Sequence, residues 1–391
     1  MPVDVFLAGG VRTAIGGFCG VFAETPATVL GSEVVRGALG RSGVPPDRVD
    51  EVIFGNVLSA GLGQNVARQV SIGAGLAPAV GATTVNKMCG SGLKTVMLAA
   101  QAIRCGDADV VVAGGTENMS RAPYLLEKAR SGYRLGDGAL VDSVIKDGLW
   151  DAYEDLHMGT YGDRCAARYE FSREAQDDFA VASYERALAA ADVFADEIVP
   201  VEAVSGRATE TVVTDEEPKR FDEHKLRSLR PAFGPEGTVT AGNASSINDG
   251  AAAILVLSKE KMAELGVRPQ ARILGYATAS LEPEWFTLAP IQAISTLMAK
   301  LALTVDKVDL FEVNEAFSAV VMAAMRDVKI PHEQVNVNGG AVALGHPVGA
   351  SGTRTLVTLL NAMEHTGAKV GIVALCIGGG EAVAMAVEKV M

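Results

Sequence analysis

Apolar and polar positions alternate between two rhythms along this chain. The run Val3 to Ala8 predicts a first strand, and Val110 to Gly115, Ala251 to Leu257 and Val370 to Gly380 predict buried strands. Between them lie helical spacings. Val96, Met97, Ala100 and Ile103 stand at i, i+1, i+4 and i+7, and Leu356, Val357, Leu360 and Met363 repeat that spacing. A further helix is expected from Ser172 to Ala190, with Ser172 as N-cap and Glu174 in the first turn.

The second of the paired helices is a copy of the first. Ser91-Gly92-Leu93-Lys94-Thr95 aligns with Ser351-Gly352-Thr353-Arg354-Thr355 at an offset of 260 residues. Ala108-Asp109-Val110 meets Ala368-Lys369-Val370 at the same offset. Slightly out of step, Val49 to Asn56 resembles Val308 to Asn314, each a short apolar strand delivering an Asn. A repeat this long is a duplicated α/β domain, not a solenoid. The division expected is residues 1–120 plus 250–270 for the first copy, an inserted loop domain over 121–249, and 271–391 for the second copy. The stretches Arg130 to Leu140 and Ser205 to Asp222 are expected as loops of the insertion.

Composition narrows the function. A net charge of −13 argues against nucleic acid as partner. No charge-free window of about 20 apolar residues is present, so no membrane span is expected. The N-terminal run lacks a basic segment before it, and Glu388-Lys389-Val390-Met391 is not a peroxisomal address, so a cytoplasmic location is expected. Five cysteines without C-x-x-C spacing suggest neither a disulfide framework nor a zinc site.

Chemistry concentrates at strand ends and helix starts. Cys89, in Asn86-Lys87-Met88-Cys89-Gly90-Ser91-Gly92, directly precedes a helix, where the macrodipole is expected to favour the thiolate. A buried structural Cys would suit the position about as well. His346 lies in a glycine-rich turn before the matching helix, where it could instead bond to backbone. Cys376 and Asn314 end strands, where a core thiol and a helix N-cap are the ordinary alternatives. If the copies pack about a pseudo-two-fold, these edges converge. One thiol is then a nucleophile with His346 as its base, the other moves a second proton, and the N–H groups of Cys89 and Gly378 can stabilise an oxyanion.

Over essentially its whole length the chain resembles the thiolase family. The Cys89 turn, Asn314-Glu315-Ala316-Phe317, Gly345-His346-Pro347 and Cys376-Ile377-Gly378-Gly379-Gly380 carry the resemblance. Arg12-Thr13, Gly114 to Ser120, His157-Met158-Gly159 and Asn243-Ala244-Ser245 support it. It implies duplicated α/β/α-layered domains with mixed five-stranded sheets and an inserted loop domain. It implies attack by Cys89 on an acyl-CoA, activation by His346, a water held by Asn314, and an α-proton moved by Cys376. Ser245 and Arg220 would contact coenzyme A; His157, Met158 and Phe317 would shape the acyl site. No cofactor or metal is expected, coenzyme A being a substrate, and a homotetramer is.

His157-Met158 and the Phe286 region favour short acyl chains, most simply acetyl-CoA and acetoacetyl-CoA; a broader-chain thiolase is the alternative. Trp150, Ala289-Pro290 and Glu381 depart from the family pattern and bear on chain preference, not on the catalytic set. Two other readings are a ketosynthase-type condensing enzyme, which lacks the Cys376 block, and an inactive CoA-binding scaffold. Cys19, Cys105 and Cys165 are expected to be structural, and His224, His332 and His365 to be surface or loop residues.

Overall fold

The computed structural model describes residues 3–205 and 208–390. The first repeat runs β1 (Val5–Arg12), α1 (Ala27–Ser42), β2 (Glu51–Gly55), β3 (Gly81–Val85), α2 (Ser91–Cys105) and β4 (Val110–Asn118). The insertion follows, with α3 (Met158–Arg168), α4 (Arg173–Ala189), β5 (Val201–Ser205) and β6 (Ala208–Val212). Then come β7 (Asn248–Ser258), β8 (Ala271–Ser280), α5 (Ala289–Leu301), β9 (Leu310–Val313), α6 (Ser318–Val328), α7 (Val348–Thr366), β10 (Val370–Ile377) and β11 (Glu381–Lys389).

The two repeats share one mixed sheet in the order β9-β10-β11-β8-β1-β7-β4-β2-β3. β7 returns from beyond the insertion to lie antiparallel between β1 and β4. The halves meet where β1 pairs with β8, Phe6 opposite Arg272 and Leu7 opposite Ala271. In the second half the fifth strand expected is reduced to a parallel bridge between Phe311 and Val335.

Strand alternation sorts the core into layers, because successive side chains point to opposite faces. Val110 and Val112 pack with Leu30 and Val34 of α1. Val111 and Ala113 face the other way, onto Leu93 and Met97 of α2. In the second half Ile372 and Ala374 pack on Ile294 and Leu297 of α5, and Val373 and Leu375 on Leu356 and Leu359 of α7. The paired helices therefore form a central layer between the half-sheets, with α1 and α5 outside.

The duplicated Ser-Gly pairs mark where α2 and α7 touch. A Cβ on Gly92 would stand 2.6 Å from Thr353 N, and one on Gly352 2.1 Å from Leu93 N. Only glycine lets the backbones approach so closely. Thr353 Oγ1 also donates to Gly92 O at 2.9 Å. Each helix ends at a left-handed glycine, Gly106 and Gly367.

The insertion is fastened through a buried ion cluster. Arg12 of β1 donates to Glu197 at 2.5 Å and to Asp215 at 2.7 Å. The expected helix at Ser172 is present: Ser172 Oγ accepts from Ala175 N at 3.1 Å. The expected loop Ser205 to Asp222 is not all loop. Ala208–Val212 pairs antiparallel with Val201–Ser205, and Glu217–Arg220 forms a short 3-10 turn; residues 206 and 207 lie outside the described residues. Burial alternates along that strand, Val201 and Ala203 inside and Glu202 and Val204 outside, but the apolar Val204 breaks the pattern in the sequence. Among the described residues no helix is long and apolar enough to cross a membrane.

Candidate active site

Two turns, one before each central helix, present the reactive side chains. In the first, Met88 takes a positive φ of 47°, and Ser91 Oγ ties the turn by accepting from Lys87 N at 2.9 Å and donating to Met88 O at 2.6 Å. Cys89 is left half-buried at the mouth of α2. In the second, Gly345 takes φ +102°, and a Cβ there would stand 2.2 Å from the Asn248 side chain. Asn248 Oδ1 instead accepts from His346 N at 2.9 Å, fixing the turn that carries the imidazole.

Both turns open on one cleft of about 460 Å³. Cys89, His346 and Gly378 line its inner part. Gly378 begins the turn after β10, and its backbone N–H, like that of Cys89 itself, favours the charged form of the Cys89 thiol. Asn314 follows β9 and places Nδ2 3.4 Å from His346 Nε2. Its Oδ1 is buried without a partner, room for one further donor such as a water. Cys376 lies buried in β10, packed among Tyr161, Phe286 and Phe317. Lys87 Nζ bonds both carboxylate oxygens of Glu381 at 2.8 Å, linking the Cys89 turn to the glycine turn of Gly378.

Burial decides the protonation states. It pushes the Cys89 thiol up to about 11; the N–H groups of Gly378 and Cys89 pull the other way without prevailing. The expectation that the helix start holds Cys89 as a thiolate is thereby overturned. Cys376 is raised well above the ordinary thiol value, first by burial and then by the neighbouring Cys89. His346 is pulled down to about 3 by burial, with Arg354 adding to the effect. At neutral pH the site therefore holds two thiols and a neutral imidazole. Such a base takes the thiol proton only as the nucleophile commits its electrons elsewhere.

The remaining candidates line the rest of the cleft. His157 caps α3, its Nδ1 accepting from Gly159 N at 3.0 Å, and stacks on Phe233 at 4.7 Å. Met158 and Phe317 border the inner end, and Ser245 Oγ donates to Ala316 O at 3.1 Å. Arg220 stands exposed at the rim, already paired with Glu216 and Glu217. Trp150 contributes indirectly, its Nε1 bonding Asp155 at 2.7 Å and its ring edge meeting His157.

Sequence reading missed the supports. Glu117 is buried and accepts from Asn56 Nδ2, Val57 N, Leu58 N and Gly349 N, at 2.9 to 3.1 Å. It thereby joins the loop after β2 to the start of α7. Burial raises its carboxyl to about 7 against those bonds. A Glu inside an apolar strand was the available signal. Phe233 carried none, since an aromatic in a loop is unremarkable. The other cysteines divide: Cys19 and Cys105 are exposed and Cys165 is buried. No group of three or more His, Cys, Asp or Glu among the described residues could hold a metal.

Known proteins of the same build surround this chain. It is 50% identical to acetyl-CoA acetyltransferase 2 of Arabidopsis thaliana over 99% of this chain and 97% of that one. It is 50% identical to the acetyl-CoA acetyltransferase of Cupriavidus necator, over 99% of both. The crystal structure of the Bacillus anthracis acetyl-CoA acetyltransferase superposes with a TM-score of 0.97 at 38% identity, covering 100% of this chain and 99% of that one. The thiolase N-terminal domain matches residues 5–260 and the thiolase C-terminal domain residues 267–389, so this chain belongs to the thiolase family.

Proposed function

We propose that this chain catalyses the reversible Claisen condensation of two acetyl-CoA to acetoacetyl-CoA and coenzyme A, by way of an acetyl group held on Cys89. The observation carrying this reading is the single cleft onto which Cys89, His346 and Gly378 open, with Cys376 buried beside it. Cys89 Sγ attacks the thioester carbonyl while His346 takes the thiol proton. The departing coenzyme A sulfur takes that proton back. The N–H groups of Cys89 and Gly378, which favour negative charge on the thiol, receive the oxyanion. The Cys376 thiol next passes its proton to His346 Nε2; the Cys376 thiolate takes the α-proton of a second acetyl-CoA, and the enolate carbon attacks the acetyl-Cys89 carbonyl. Cys89 leaves as the thiolate and takes the proton held by His346, which restores two thiols and a neutral imidazole. While it carries that proton, His346 Nε2–H stabilises the enolate oxygen together with a water on Asn314 Oδ1.

Ser245 and Arg220 are proposed to contact coenzyme A, which requires Arg220 to exchange one of its carboxylate partners for the ligand. His157, Met158 and Phe317 are proposed to shape the acyl end. Four-carbon preference follows from Phe286, Tyr161 and Phe317 closing around Cys376. The division into residues 1–120 plus 250–270, 121–249 and 271–391 is part of this reading, supported by the return of β7 into the first half-sheet. So is a cytoplasmic homotetramer: Tyr124, Leu126, Tyr133, Leu135 and Leu140 leave one exposed apolar segment for a second copy to cover.

The test is CoA-dependent thiolysis across 3-ketoacyl-CoA chain lengths, beside Cys89→Ala and Cys376→Ser. Acetyl-Cys89 should be detected by mass spectrometry after mixing with acetyl-CoA. Absence of that adduct in the wild type, or equal rates at four and ten carbons, would overturn the corresponding part.

A further inference from the structure

The duplicated serines do more than start two helices. Ser91 and Ser351 occupy equivalent positions, 260 residues apart. Each hydroxyl donates its one proton backward to a carbonyl: Ser91 to Met88 O at 2.6 Å, Ser351 to Pro347 O at 2.9 Å. Each is thereby left as an acceptor. In the first copy the lone pair receives Lys87 N at 2.9 Å and shapes the Cys89 turn. In the second copy it stands 2.5 Å from His346 Nδ1.

We infer that Ser351 is a positioning residue that sets the tautomer of His346, accepting from Nδ1–H and leaving Nε2 as the unprotonated nitrogen. A neutral imidazole has one N–H and one acceptor nitrogen. A Ser hydroxyl has only one proton, and here the Pro347 carbonyl takes it, so the ring proton has to sit on Nδ1. Ser351 is fully buried, so no solvent competes for its hydroxyl. Nε2 then faces Asn314 Nδ2, a donor, at 3.4 Å. That side of the ring is where a proton from the cleft arrives. When it does, Nδ1–H keeps its bond to Ser351, so the base changes charge without turning. Ser351 thus fixes the tautomer in advance, as the hydrogen-bond partner of the other ring nitrogen does in histidine sites generally.

This inference rests on His346 acting as the base proposed above. Its test begins with the wild-type enzyme labelled with ¹⁵N-histidine. Five histidines per chain allow the His346 signals to be assigned by their loss in His346→Asn. Nδ1 should show a protonated and Nε2 an unprotonated shift; the reverse overturns the inference, whatever any variant does. Ser351→Ala should slow acetylation of Cys89 by acetyl-CoA roughly tenfold to a hundredfold, up to the lower end of what general-base catalysis supplies. KM for coenzyme A should stay unchanged, and Ser351→Thr, which keeps the hydroxyl, should recover most of the rate. An alanine variant that acylates at the wild-type rate with unaltered ring shifts sinks the inference alone. A wild-type enzyme that forms no acetyl-Cys89 sinks the functional reading instead.

Discussion

Replacing Gly352 with alanine tests whether the α2–α7 crossing sets the geometry of the cleft. The added Cβ would stand 2.1 Å from Leu93 N and 2.9 Å from Gly92 C, where ordinary contact begins at 3.4 Å. Both neighbours are backbone, so no side chain can rotate away, and the helices must part by about 1.3 Å in a close-packed core. Overpacking of this kind costs about 1–3 kcal/mol. The larger effect is on rate. The Cys89 turn leads into α2 and the His346 turn into α7, so parting the helices shifts nucleophile and base relative to each other. A misplacement of about 1 Å can cost ~10²-fold in turnover. Acetoacetyl-CoA thiolysis should show kcat falling by that order, and urea unfolding should show the lowered midpoint. The control is Gly40→Ala, an exposed position in α1 with nothing within 4 Å of the added Cβ, expected to be stabilising by about 0.5–1 kcal/mol with unchanged kcat. A Gly352→Ala enzyme with wild-type kcat and midpoint would refute the reasoning.

Three further outcomes are expected. Alkylation of Cys89 by iodoacetamide should keep accelerating as pH rises from about 7 to 10, because the thiol titrates near 11; a plateau near neutrality would mean that the helix dipole prevails over burial. Glu117→Gln turns an amide NH₂ toward two of the four N–H donors, leaving each without an acceptor at about 1–3 kcal/mol, so urea unfolding at pH 7 should show a loss of a few kcal/mol. Since the folded carboxyl titrates near 7, above its unfolded value of about 4.3, the wild type holds the extra proton between those limits. Its stability should therefore fall as pH rises through that window, a slope that the glutamine variant lacks. Phe286→Leu should widen the acyl end beside Cys376 and raise six-carbon relative to four-carbon thiolysis about tenfold; an unchanged ratio would show that another residue closes the channel.

What the chain determined by itself is local or repetitive. Strand alternation at Val110 to Ala113, helical spacing from Val96 to Ile103, and the 260-residue echo of the Ser-Gly helix start are all legible without coordinates. So were Cys89, Asn314, His346 and Cys376 as candidates, because they sit at or next to element boundaries where loops must turn. Tertiary structure alone decided their chemical state. Cys89 reads as a thiolate from its helix start, yet segments distant in sequence, the turn of Gly378 among them, enclose it and desolvation prevails. His346 reads as a turn residue, yet the proton committed between Ser351 and Pro347 tells which ring nitrogen is free. The Val201–Val212 hairpin and the bridge at Val335 likewise depend on pairing that spacing cannot rank. The physical reason is common to all of these. Propensity and periodicity act along the chain, whereas dielectric environment, proton position and strand partners are set by whatever the fold brings alongside.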